Sequence, residues 1–142
     1  MRLALALLLV AAAAAPARAE TLVVEMKGFR SDKGKALVAL FASKDGFPDQ
    51  PKKAVRRVEV DIKKGAAVTV LMGVPPGTYA VAVLHDEDGN KAMKTGLFGI
   101  PKEGYGASQD ARGNFGPPSF GDAKLEIRPG RRVTTRIKIA YH

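Results

Sequence analysis

The chain has 142 residues, of which 46% are hydrophobic and 26% charged, and its formal net charge is +9 at pH 7. This length fits a single domain that can bury a core of its own. The apolar fraction argues against an intrinsically disordered chain, and 15 glycines without a repeat exclude a collagen-like one. A disulfide-stapled scaffold is excluded too, because the chain has no cysteine.

The first 19 residues predict a secretory signal peptide. Arg2 precedes an almost uninterrupted Leu/Ala/Val run, which is followed by Pro16 and a small-residue pattern that ends at Ala19. The apolar run is about 13 residues long, whereas a membrane-spanning helix needs about 20. We therefore expect cleavage after Ala19, a single domain over 20–142, no transmembrane segment, and a periplasmic or secreted protein whose net charge falls to +7 with the loss of two arginines.

The rest of the chain has a hydrophobic period of two, with β-branched residues enriched between short turn signals, which indicates an all-β domain. Segments 35–42 and 78–84 are apolar on both faces and are predicted to be central strands. About seven strands, spaced in this way, favour an immunoglobulin-like β-sandwich of two antiparallel sheets. The predicted strands are 21–27, 35–42, 54–62, 66–72, 78–85, 123–128 and 132–140.

The longest predicted connection is 86–121, with 36 residues and eight of the 15 glycines. Connections of this length are uncommon in compact domains and are usually functional or disordered. The spaced aromatic residues Phe98, Tyr105, Phe115 and Phe120 favour an ordered loop packed across one end or one sheet. Two alternatives are open: an inert cover, or a ligand groove in which these rings stack on a sugar or contact a peptide.

Four motifs in this order resemble a known family. They are PPGTYAV at 75–81, HDEDGN at 85–90, GIPKEGYG at 99–106 and FGPPSF at 115–120, with GFP at 46–48 before them. Together they resemble domain of unknown function 2141, a family of small secreted bacterial proteins. The resemblance implies a β-sandwich and export, and it implies no activity. The first motif is also similar to a turn of transthyretin-like sandwiches, which supports the fold alone.

The HDEDGN motif suggests a calcium site. Asp86, Asp88 and Asn90 place side-chain oxygens at positions 1, 3 and 5 of a loop, as hard cations require. Position 6 is Lys91 instead of glycine, and position 12 lacks the expected acid. Two alternatives are an Asx-rich turn, and a site in which Lys91 or Lys94 supplies the positive charge internally.

The positive charge suggests an anionic partner. In the periplasm this partner would be lipopolysaccharide phosphate, anionic phospholipid or acidic polysaccharide; a protein partner stays open, and nucleic acid is not expected because no reader motif is present. Ordinary solvated charges on strand faces are the alternative. The basic clusters are Lys52-Lys53, Arg56-Arg57, Lys63-Lys64 and Arg131-Arg132.

Enzymatic activity has little support in the sequence. A hydrolase would use His85 with the acid that follows it, or Ser108 or Ser119, yet no Gly-x-Ser-x-Gly elbow and no His-Glu-x-x-His pair is present. His85 is either a residue of the binding loop or a packed histidine hydrogen-bonded to loop backbone. Glu103 and Tyr105 are a further candidate for an exposed polar pair, but one carboxylate without a geometric partner makes no acid–base site. The sequence therefore favours a non-enzymatic binding or structural module of the periplasm or cell envelope.

Overall fold

The computed structural model describes residues 20–93, 101–114 and 116–142. The predicted signal peptide at 1–19 lies outside the described residues, as do Lys94, Phe98 and Phe115. The strands and turns described below belong to the remaining ranges.

Eight strands and one short helix make up these ranges, which confirms the all-β expectation. No helix within 20–93, 101–114 and 116–142 is long and apolar enough to cross a membrane. The strands are β1 Glu20–Lys27, β2 Lys35–Phe41, β3 Arg56–Val60, β4 Ala66–Val74, β5 Gly77–Asp86, β6 Tyr105–Ala107, β7 Leu125–Ile127 and β8 Arg132–Lys138; the helix α1 is Phe120–Ala123, and 3₁₀ turns lie at Pro51–Lys53 and Ser108–Asp110.

The strands form two sheets. One has three strands in the order β4-β1-β8, and the other has the order β3-β2-β5-β6 with β7 also paired to β5. The two strands predicted to be central, β2 and β5, are indeed interior, because apolar residues on both faces need neighbours on both sides.

Two parts of the strand prediction were wrong. The sheets are not wholly antiparallel, since β1 and β8 pair in parallel. These are the first and last strands of the described fold, so no tight hairpin sets their relative direction. The seven predicted strands also leave out β6, which lies inside the predicted long connection and whose three residues are too short to show a period of two, so the described ranges hold eight strands.

The two sheets share one hydrophobic core. Alternate residues of β1 point inward and are almost fully buried, as the period of two requires. His85 continues the inward row of β5 that begins with Tyr79. The core members from the two sheets include Leu22, Val24, Met26, Leu71, Ile137, Val38, Leu40, Val81 and Val83.

The five-stranded sheet is covered on its outer face as well. Phe41 and small residues of β2 and β5 form that face, and Phe47 and Phe120 pack against it. The Phe41 and Phe47 rings meet edge to face with centroids 5.4 Å apart, and Phe47 and Phe120 do the same at 5.9 Å. The part of the predicted loop around Phe120 thus packs across one sheet, as expected.

Candidate functional site

Strand pairing brings two distant acids together at one end of β5. β5 and β6 are antiparallel, and beyond their last pair the backbone N–H of His85 donates to the carbonyl oxygen of Gly104 at 2.8 Å. The next residues along, Asp86 and Glu103, therefore lie opposite each other. A Cβ at Gly104 would come within 2.4 Å of the Tyr141 ring, so only glycine allows the chain to pass this close.

Three carboxylates form the resulting cluster, which we call the acidic cluster: Asp86, Asp88 and Glu103. One oxygen from each lies within 4.8 Å of the others. Asp86 is 2% exposed and Glu103 is 3% exposed, whereas Asp88 is exposed. Carboxylate oxygens at this spacing are ligands that a hard cation accepts.

Asp86 also shapes the loop that follows β5. Its Oδ1 accepts the N–H of Gly89 and its Oδ2 accepts the N–H of Lys91, both at 3.0 Å. The Lys91 ammonium forms an ion pair with Glu59 at 2.9 Å, and this hydrogen bond raises the pKa of Lys91. The predicted internal counter-charge thus has Glu59 as its direct partner, with Asp86 acting on it only at longer range.

Asn90 is not a member of the acidic cluster. Its side-chain oxygen accepts the N–H of Ala92 at 2.9 Å, while Asp88 accepts the N–H of Asn90 at 3.1 Å. These bonds form the Asx-rich turn that the sequence suggested. Of the predicted trio, Asp86 and Asp88 lie in the acidic cluster and Asn90 does not; Glu103 is the third member because pairing between strands, not loop spacing, brings it there.

A polar depression of about 420 Å³ opens beside the acidic cluster. Arg30 spans it: its Nε donates to Glu87 at 2.9 Å, and its Nη2 donates to the carbonyl oxygen of Lys102 at 3.2 Å. The bond to Glu87 raises the pKa of Arg30. The depression holds both signs of charge, and its lining is Arg30, Lys33, Glu87, Asp88, Lys102, Glu103 and His142.

His85 is fully buried beneath this end of the molecule. Its Nε2 lies 2.7 Å from the carbonyl oxygen of Lys33, which can only accept, so Nε2 carries a proton. Nδ1 then accepts from the Tyr141 hydroxyl at 2.8 Å, and that hydroxyl accepts the N–H of Arg30 at 3.0 Å. Burial raises the pKa of Tyr141. The packed-histidine interpretation is confirmed, and the ring does not face the depression as a ligand-binding group.

Neither candidate serine is arranged as a nucleophile. Ser108 is fully buried; its hydroxyl donates to the carbonyl oxygen of Ala123 and accepts the N–H of Val81 at 2.9 Å. Ser119 is the N-cap of α1 and accepts the N–H of Asp122 at 3.1 Å. Both hydroxyls hold backbone in place.

The two described aromatic candidates contact different rings. Tyr105 stacks on His142 with centroids 5.5 Å apart and shares a hydrogen bond with it, whereas Phe120 packs on Phe47. The prediction that Glu103 and Tyr105 form an exposed pair was wrong, because Glu103 is buried and Tyr105 is half-buried. Tyr105 is paired in β6 and Glu103 lies just before it, inside the segment that the sequence predicts to be a long connection.

Two sheets over a shared core, with an acidic cluster where β5 meets the segment before β6, define this chain as an all-β protein with a candidate cation site. A family model described as an uncharacterized protein conserved in bacteria, DUF2141, matches residues 24–135, and the chain belongs to this family. The predicted resemblance is thereby confirmed. Comparisons with curated proteins and with solved structures gave no match. All three acids of the cluster lie inside the matched segment, whose family description states no activity.

Proposed function

We propose that the protein is an exported, non-enzymatic binding module of the cell envelope whose acidic cluster binds a hard divalent cation, calcium above all. The signal-peptide pattern at 1–19 supports export. The core shared by the two sheets supports a β-sandwich of the immunoglobulin-like or transthyretin-like kind. Each part of the proposal has its own test.

The closeness of Asp86, Asp88 and Glu103 carries the cation proposal. Two of these carboxylates are buried, and like charges repel more strongly where water is excluded. A divalent cation between them converts that repulsion into attraction. Calcium takes six to eight oxygen ligands at about 2.3–2.6 Å, and the three carboxylates offer oxygens from two separate segments of chain.

A competing source of positive charge lies in the same depression. Arg30, Lys33 and Lys102 line it together with the acids, and they neutralise part of the negative charge without any ion. Calcium must therefore stabilise the fold beyond what these three basic residues achieve. That difference is measurable, because a ligand that binds only the folded state raises the unfolding temperature.

The absence of catalysis is supported by the engagement of the candidate catalytic groups. His85 bonds to Lys33 and Tyr141, and Ser108 and Ser119 bond to backbone. A nucleophile needs a base within hydrogen-bond reach, and neither serine bonds to a histidine among the described contacts. Binding at the acidic cluster makes no such demand.

The test is thermal unfolding followed by far-UV circular dichroism, since the chain has no Trp. Calcium at about 100 times its dissociation constant should add about 2.7 kcal/mol to the free energy of unfolding, a rise of several degrees that EDTA reverses. Glu103→Gln and Asp88→Asn should abolish the rise. Asp49→Asn is the matched control, because Asp49 follows β2 at the end opposite to the Lys35–Asp86 pair and is exposed.

Two results would overturn the cation proposal: no calcium-dependent rise in the parent protein, or an equal rise in the parent, in both cluster variants and in the control. Export is tested separately by the intact mass of the protein recovered from the periplasm. We expect a chain that begins at Glu20. Retention of the full-length chain in the cytoplasm contradicts export and leaves the cation result untouched.

A further inference from the structure

The three-stranded sheet has one face on the core and one outer face. Leu22, Leu71 and Ile137 point into the core, so the residues that alternate with them point outward. The strand register places the outward side chains in rows across β4, β1 and β8. The rows are Val70 with Val23 and Thr134, Val68 with Glu25 and Arg136, and Ala66 with Lys27 and Lys138.

One side of this outer face is apolar. Val68, Val70 and Met72 follow one another along β4 and are 58%, 46% and 70% exposed. Among the described residues only Val55 is a further large hydrophobic residue of this exposure. β4 carries no charged residue, which is unusual for an edge strand. Contiguous apolar side chains beside a polar rim are a feature of interaction surfaces, whereas single exposed apolar residues are not.

The other side of the outer face is basic. Arg132, Arg136 and Lys138 project from β8, and Lys27 projects beside them from β1. Glu25 is the acidic side chain in these rows, and it pairs with Arg136 at 3.1 Å. The Arg136 side chain is nevertheless 74% exposed, so its charge stays accessible from solvent. Four basic residues against one acid give the face a net positive charge.

The edge of β4 is engaged at both ends, which favours a partner that meets the side chains. Arg56 donates from Nη1 to the carbonyl oxygen of Met72 at 2.8 Å. At the other end the backbone of Ala66 exchanges hydrogen bonds with Lys63 at 2.8 and 3.1 Å. A strand added by a second copy would have to displace Arg56, whereas a surface laid against the outer face would not.

We propose that this outer face docks the protein onto an anionic lipid bilayer. The basic row contacts lipid phosphates, and Val68, Val70 and Met72 enter the boundary between headgroups and acyl chains. An acidic polysaccharide would satisfy the basic row and give the apolar row nothing to contact. The docking surface is separate from the acidic cluster, and the experiment is run in EDTA so that calcium plays no part.

The experiment is flotation of the purified protein with vesicles of phosphatidylglycerol and phosphatidylcholine, against vesicles of phosphatidylcholine alone, at physiological ionic strength. The parent should float with the anionic vesicles. The double variants Val70→Thr/Met72→Gln and Arg136→Gln/Lys138→Gln should each lower the partition coefficient at least about tenfold. Val55→Thr and Lys44→Gln/Lys52→Gln, which alter exposed residues elsewhere, should leave it unchanged. Parent and variants share one N-terminus, so residues 1–19, if retained, affect all of them equally.

Three results would overturn the proposal. Equal losses in the basic-face variant and in the lysine control mean that net charge alone adsorbs the protein. A parent that does not float, and whose dimer in light scattering is lost in Val70→Thr/Met72→Gln, makes the face an interface between two copies. Binding to an acidic polysaccharide that survives the apolar variant, without flotation, assigns the face to that polymer.

Discussion

The outer faces of the two sheets differ: one is covered by other parts of the chain, and the other is largely exposed. On the five-stranded sheet, Phe47 and Phe120 lie over Phe41 and the alanines around it. On the three-stranded sheet, Val68 and Met72 remain in solvent, with no described segment laid over them. The first face is a second small core, whereas the second, which we call the bare face, exposes its β4 row to solvent although Val23 beside that row is only 4% exposed.

The strands of this protein do not all expose apolar residues: those of the five-stranded sheet are covered on their outer face, and those of the three-stranded sheet are not. The covering segments include the loop after β2 and the residues around α1, and both pack on the same sheet. The residues beneath are small, as Ala80 and Ala82 are, so the aromatic rings can approach the backbone closely. The bare face combines large apolar and basic side chains, a composition typical of a surface that binds a partner.

The largest expected effect lies in the covered face. Phe41→Ala should lower the free energy of unfolding by about 3–5 kcal/mol, because a fully buried ring is lost and a cavity remains. Urea unfolding followed by circular dichroism measures it. Phe120→Ala should cost less, since Phe120 is only half-buried. A loss below about 1 kcal/mol in Phe41→Ala would mean that the cover packs loosely and that the two faces differ little.

A smaller effect is expected at Ser108, which ties the cover to β5. Ser108→Ala removes the acceptor for the N–H of Val81 and the donor to the carbonyl oxygen of Ala123, so two buried backbone groups lose their partner. We expect a loss of about 1–3 kcal/mol in the same unfolding experiment. Ser43→Ala is the control, because Ser43 is exposed. Equal losses of stability in the two variants would show that the two hydrogen bonds of Ser108 add nothing to the free energy of unfolding.

The sequence predicted the sheets well where a strand is long enough to show its period. β2 and β5 were placed as interior strands because both of their faces are apolar, and the structure agrees. β6 was missed, since three residues within a glycine-rich stretch carry no readable alternation. The parallel pairing of β1 with β8 joins residues more than a hundred positions apart, which no local pattern reports.

The acidic cluster is also only partly predictable from local sequence patterns. Loop spacing is local, so it predicts Asp86 and Asp88 together, and it predicts Asn90 for the same reason although Asn90 lies outside the cluster. Glu103 was missed because its place follows from the register between β5 and β6. A search for acids near the ends of short apolar runs would have found it, at the cost of many false candidates.

Asp32 links two loops at one end of the molecule, and its substitution tests that link. Its carboxylate accepts the N–H groups of Gly65 and Lys64, which lowers the pKa of Asp32 and ties the β1–β2 loop to the β3–β4 loop. A carboxyl whose pKa is lower in the folded state stabilises the fold above its unfolded pKa, and loses that contribution as pH falls through the folded value. Asp32→Asn should therefore unfold at a lower temperature than the parent at neutral pH, and the gap should close below about pH 4. A gap that persists in acid, or one equal to that of the exposed control Asp49→Asn, contradicts this account.

The smallest effect is expected on the bare face, and it decides whether that face is bare in solution. Val70→Thr keeps the β-branched shape of a side chain that is 46% exposed, so the free energy of unfolding should change by no more than about 0.5 kcal/mol. Val55→Thr, at 54% exposure, should match it. A loss well above this value, which grows with protein concentration, would mean that a second copy covers Val70 in the folded protein. The contrast between the faces would then hold for the single chain alone, because association would bury the apolar row that the single chain exposes.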